Sequence, residues 1–121
     1  MYELLKKGLS KGSLSRYVSV EFTSDNKRDI YKDFDKILGL LFGVDYFYVI
    51  VFRNGKRHVH MIIRDCPFYK NQLKSIWTWI HSCPKFSLEP VKDVEAVAVY
   101  LSTQDAIEFV GVSKNWFEGV I

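Results

Sequence analysis

The stretch Tyr46–Asp65, "YFYVIVFRNGKRHVHMIIRD", decides how the rest of the chain is read. Residues 46–52 are aromatic and β-branched, the composition of a strand. Asn54-Gly55 follows, the dipeptide that best tolerates the two positive φ angles of a two-residue hairpin turn. "RHVHMII" is then the returning strand. With Asn54 and Gly55 as the loop, Arg53 opposes Lys56, Phe52 opposes Arg57, Val51 opposes His58 and Val49 opposes His60. Opposed residues share a face. His58, His60 and Ile62 therefore lie with Phe47, Val49 and Val51, and Val59, Met61 and Ile63 with Tyr46, Tyr48, Ile50 and Phe52. The second face has the bulk of a core. The first sets two imidazoles beside small valines, with room for another group to approach.

Upstream of the hairpin, "RYVSVEFT" (Arg16–Thr23) alternates Val18, Val20 and Phe22 with Ser19, Glu21 and Thr23, the pattern of a half-buried strand. "SDNKRD" offers helix caps. Ile30, Phe34, Ile37, Leu38 and Leu41 then form one helical stripe, with Gly43 as its stop. Downstream, Pro67 stands near the first turn of a helix whose buried stripe is Leu73, Ile76, Trp77 and Ile80, and Pro84 ends that region. "KFSLEP" reads as a short strand. Val94, Val97, Ala98 and Leu101 mark a third helix, Ile107–Ser113 a last strand, and "KNWFEGVI" a tail. This order predicts an α+β fold: an antiparallel β-sheet of about five strands with flanking helices, as in ferredoxin-like folds.

At 121 residues, with 48% hydrophobic and 26% charged residues, the chain is sized for one globular domain, 1–121. No stretch approaches the ~20 apolar residues that span a bilayer. The amino terminus lacks an apolar signal region, so the expectation is an intracellular protein with no membrane partner. The first 15 residues, rich in Lys, Gly and Ser, are expected to be partly mobile. The net charge of +3 permits a polyanionic partner. Cys66 and Cys83 lack metal-binding spacing and read as free thiols, although a disulfide between them stays open.

Two histidines at i and i+2 of one strand point the same way, roughly 6–7 Å apart, and can converge on one ion at about 2.0–2.2 Å. The other reading is a pair of partly exposed strand histidines with no ligand. A third ligand has to come from a neighbouring strand. Asp45 shares the histidine face but opposes Arg64 and is expected to meet it. Glu21, on the polar face of the first strand, is the better candidate, since an acid there is costly unless paired or bound. An ordinary solvent-facing role for Glu21 is equally open.

These residues resemble a family. "RHVHMII" is similar to the His-hydrophobe-His motif of the HUH endonucleases, the replication initiators (Reps) of small plasmids and viruses. "YVSVEFT" stands where that family keeps its first-strand motif. "AVAVYLSTQDAI" resembles its third motif, a helix carrying a nucleophilic tyrosine followed by a polar helper. "FVGVSKNW" resembles the strand and "S-[RK]-N-W" segment of archaeal plasmid and virus initiators. The order matches from about residue 16 to 117, and the short chain is most like the minimal Reps of archaeal viruses.

The resemblance implies a Rep nuclease fold. Tyr100 would be the nucleophile that forms a 5′-phosphotyrosine with single-stranded DNA at an origin or genome end, with Gln104 as polar helper. A divalent metal, Mn²⁺ or Mg²⁺, would sit on His58, His60 and Glu21. Helical geometry agrees that Tyr100 stands off the core stripe, about 100° from Leu101. A tyrosine at the margin of the core is the ordinary alternative. The family commonly carries a lysine one turn after its tyrosine, where this chain has Thr103 and Gln104, and Lys114 could substitute for it in space. With a single tyrosine in the motif, a homodimer would complete a replication round.

DNA would be held by Arg53, Lys56 and Arg57 at the hairpin tip, by Lys114, and by Lys6, Lys7, Lys11 and Arg16 near the amino terminus. Of the tryptophans, Trp77 belongs to the core stripe, which leaves Trp79 and Trp116 to stack on bases. Two other functions fit the same pattern. One is a non-catalytic binder of single-stranded nucleic acid; the other is a transposase of the same tyrosine class.

Overall fold

A computed structural model describes residue 3 and residues 17–24, 29–66, 68–81, 86–114 and 116. Lys6, Lys7, Lys11, Arg16, Pro67, Cys83 and Pro84 lie outside the described residues, as does the expected mobility of the first 15.

The hairpin forms as its sequence requires. Strands β2 (Asp45–Arg53) and β3 (Lys56–Arg64) pair antiparallel with Val49 opposite His60, Val51 opposite His58 and Arg53 opposite Lys56. Asn54 and Gly55 take φ of 56° and 74°, the left-handed pair that matches the twist of the flanking strands. Strand β1 (Tyr17–Thr23) pairs with the other edge of β3, placing Glu21 opposite His60 and Thr23 opposite His58. The short strand β4 (Phe86–Pro90) joins the far side of β1, and β5 (Ile107–Val112) joins β2. The sheet is antiparallel with order β4-β1-β3-β2-β5. Its first four strands follow the split βαβ order expected of a ferredoxin-like fold. The histidine strand is therefore central, paired on both sides.

Helices α1 (Ile30–Leu40) and α2 (Lys70–His81) cover one face. Asp29 caps α1, its carboxylate accepting the Tyr31 and Lys32 N–H groups at 3.0 and 3.3 Å, a contact worth ~1 kcal/mol. Gly43, at φ 79°, follows the helix end. Phe22 is fully buried in this layer, with ring centroids 4.7 Å from Trp77, 5.2 Å from Phe86 and 5.7 Å from Phe34. Ile30, Ile37, Ile50, Val59, Met61, Ile63 and Leu73 fill the space around it.

The opposite face, which carries the histidines, is also covered. Helix α3 (Val94–Ser102), capped by Asp93, packs Ala98 and Leu101 onto Phe47, Val49, Val51 and Ile62. Trp116 is fully buried in this second core, and the guanidinium of Arg64 lies 4.9 Å from its ring. Sequence placed Trp116 in a tail and offered it as a base-stacking residue; the structure corrects both, because its indole seals the sheet beside Phe47. Arg64 also meets Asp45 at 2.7 Å, the pairing their opposed positions predict.

Candidate active site

Three elements bring their polar side chains to one place on the α3 face. The register of β1 and β3 fixes Glu21 beside the histidines, and helix α3 lowers Tyr100 onto them. The His58 and His60 rings are nearly parallel, 12° apart, with centroids separated by 6.3 Å. The two oxygens of Glu21 stand 3.7 Å from His58 Nδ1 and 3.8 Å from His60 Nδ1. These distances exceed hydrogen-bond length. The carboxylate thus faces both imidazoles without bonding either.

The Tyr100 hydroxyl lies 3.5 Å from His60 Nδ1, its ring set edge-on to the imidazole at 5.3 Å. Tyr100 is nevertheless 46% exposed, while Leu101 beside it is buried. The off-stripe position read from the sequence therefore gives the phenol both a solvent path and a contact with the histidines. Thr23 completes the rung opposite His58, its hydroxyl 3.2 Å from His58 Nδ1. No sequence motif marks Thr23; its signal is the two-residue spacing from Glu21 on one strand face.

The site holds its histidines neutral. Burial pushes the His60 imidazolium down to about 4, with Arg53 and His58 acting in the same direction. His58 is also lowered, first by burial and then by Arg53. Tyr100 is raised, mainly by burial and next by the Glu21 carboxylate, against the lowering effect of Arg53 and Gln104. Without a further positive charge the phenol is a poor nucleophile.

Gln104 follows α3 and clamps its end. Its Nε2 donates to the Tyr100 carbonyl at 2.8 Å, and its Oε1 accepts from Arg53 Nη1 at 3.2 Å. Arg53 thus reaches from the hairpin tip to the tyrosine. Lys56, opposite Arg53, shares this face. Arg57 does not. It stands on the α1 face, where its Nε meets Glu108 at 3.0 Å and its guanidinium lies over Phe52 and Tyr31. Lys114 is also remote from the histidines. The Ser113 N–H bonds the Tyr46 carbonyl, which puts Lys114 level with the start of β2, roughly 13–20 Å along the sheet from the histidine rungs. Trp79 is 85% exposed but rides on α2, across the sheet from the site. Cys66 is a free thiol that bonds the Phe68 carbonyl.

Two neutral imidazoles and a carboxylate fit a divalent cation as a donor set. His60 Nε2 is buried and has no hydrogen-bond partner among the described residues. No group of three His, Cys, Asp or Glu side chains among the described residues stands in a ready-made coordinating arrangement. The strand register puts Glu21 opposite His60 and one two-residue step from the rung of His58.

The chain matches no protein-family model, no curated protein and no solved structure. Among the described residues, no helix is long and apolar enough to cross a membrane.

Proposed function

We propose that this domain nicks and rejoins single-stranded DNA at an origin or genome end, with Tyr100 as nucleophile and a divalent metal, Mn²⁺ or Mg²⁺, held by His58, His60 and Glu21. The observation that carries the reading is the 3.5 Å approach of the Tyr100 hydroxyl to His60 Nδ1, beside a carboxylate that spans both imidazoles. A phenol, two neutral imidazoles and an acid on rigid elements are the parts that phosphodiester transfer to tyrosine needs. When bound, the cation supplies positive charge against the scissile phosphate and the departing oxygen.

The chain's own residues do the rest. Tyr100 Oη attacks phosphorus, the bond to the 3′-oxygen breaks, and the DNA 5′-phosphate stays joined to the enzyme. The phenolic proton leaves to solvent, and the 3′-oxygen takes a proton in turn. Attack by that 3′-hydroxyl reverses the step and reseals the strand without ATP. The packing of α3 fixes Tyr100 over the site, and Gln104 holds the end of the helix there. With one tyrosine per site, a homodimer would supply a second for a complete replication round in the host cytoplasm. A transposase of the same tyrosine class would use the same site.

The experiment is incubation of the protein with labelled single-stranded oligonucleotides of varied sequence and Mn²⁺ or Mg²⁺. A denaturant-resistant protein–DNA adduct is expected, lost on chelation and absent in Tyr100→Phe. A folded protein that binds DNA yet forms no adduct with any sequence would leave the non-catalytic binder as the better account. Coverage of the histidine face by α3 and Trp116 weighs against that account, since a sheet-bound strand would need the face open.

A further inference from the structure

We infer that Arg53 is a catalytic residue of this site, the guanidinium that contacts the scissile phosphate, with Gln104 as its positioning residue. The inference rests on the proposed nicking reaction and assigns a role within it. Charge balance points to it first. The site's own side chains are two neutral imidazoles, a carboxylate and a phenol, and a phosphodiester adds a further negative charge; the proposed divalent cation would offset those two charges and leave nothing against the charge that builds up in the reaction. As the Tyr100–phosphorus bond forms and the bond to the 3′-oxygen breaks, negative charge gathers on the non-bridging phosphate oxygens. A guanidinium aimed at those oxygens is the donor that planar, bidentate phosphate recognition favours.

Geometry selects Arg53 among the described cations: Lys56 shares its face, but it is Arg53 that bonds Gln104 beside Tyr100. Arg57 is turned to the opposite face by the strand alternation and is held there by Glu108. Lys114 stands at the far end of β2. Arg53 lies on the histidine face, half-buried at the hairpin end, within reach of Tyr100. Gln104 sets its direction, because one amide bonds the Tyr100 carbonyl and Arg53 Nη1 at once. Among the described residues neither bond goes to an acid, so there the charge of Arg53 is steered without being neutralised.

The test uses the whole chain with Mn²⁺ and a single-stranded oligonucleotide carrying the mapped cleavage site. A second oligonucleotide has one methylphosphonate at the scissile linkage, which removes the non-bridging charge that Arg53 would meet. On the phosphodiester, Arg53→Gln should slow adduct formation at saturating DNA by about 10²–10³-fold, with oligonucleotide affinity changed only a few-fold. Arg53→Lys should recover part of the rate. On the methylphosphonate, the gap between wild type and Arg53→Gln should shrink below tenfold. Gln104→Leu, which keeps the guanidinium but frees it, should show a smaller loss with the same dependence on substrate charge. An equal Arg53→Gln defect on both substrates would overturn the assignment, as would a loss confined to DNA affinity. No adduct from wild type on the phosphodiester would instead sink the nicking reaction itself, separating the two failures.

Discussion

His60 sits at the centre of the site, opposite Glu21 on one strand and Val49 on the other, and only 2% exposed. Its imidazole is held to about 4 by burial first, then by Arg53 and His58. Between pH 6.5 and 4 the unfolded chain therefore binds a proton that the folded chain refuses. The stabilisation is full above about pH 6.5 and is lost as pH falls through 4, a change on the order of 3 kcal/mol. Urea melts from pH 7 to 4 should show this slope, and His60→Gln should flatten it. Glu21, His58, Tyr100 and Arg53 face the ring, so Glu21→Gln and His58→Gln are the controls. An unchanged slope in His60→Gln would place the acid lability elsewhere. Trp116 makes the contrasting case. Trp116→Ala should cost about 3–5 kcal/mol of stability and show its effect in thermal melts, because the indole is a core anchor.

Among the elements, β5 is the least regular. The register between β2 and β5 slips between Ile50 and Val51, leaving Glu108 as the extra residue of a bulge. The bulge turns Glu108 to the α1 face, where it accepts from Arg57 and from the Tyr31 hydroxyl. Strand alternation already puts Arg57 on that face, and Glu108 holds it there. Further along β5, a Cβ on Gly111 would fall on the ring of Tyr48, which is buried and packed edge-on against Phe34. Gly111→Ala should destabilise the fold by roughly 1–3 kcal/mol. Adding Tyr48→Leu should recover part of that loss in the double variant. Additive losses would show that the clash is not the cause.

For the molecule as a whole, the two sheet faces divide the work. α1 and α2 close one face over an aromatic core, and α3 with Trp116 closes the other around the polar cluster. Arg53 and Lys56 are the hairpin cations on the cluster's face. Affinity for single-stranded DNA should therefore fall steeply with salt. Removing both side chains should reduce the slope of log K against log salt by about 1.4, at ~0.7 per phosphate contact. Trp79→Ala, across the sheet, should leave both affinity and slope unchanged. A flat salt response in wild type would rule out an electrostatic groove.

Much of this was legible in the chain. The Asn54-Gly55 turn set the register, and with it the shared face of His58 and His60, because a two-residue hairpin admits one pairing and side chains alternate with period two. Helical spacing put Tyr100 off the core stripe for the same local reason. The pairing of Asp45 with Arg64 followed from register alone. Sequence could not say which strand lies beside β3 on its other edge, so Glu21 was one choice among polar residues until β1 paired there. Nor could it place the carboxyl-terminal Trp116 in the core, bring Gln104 and Arg53 together, or pair Arg57 with Glu108, 51 residues further along the chain. Local patterns fix what neighbouring residues impose on one another, whereas contacts between distant segments depend on how whole layers pack, and that is decided only when the sheet and its helices close on each other.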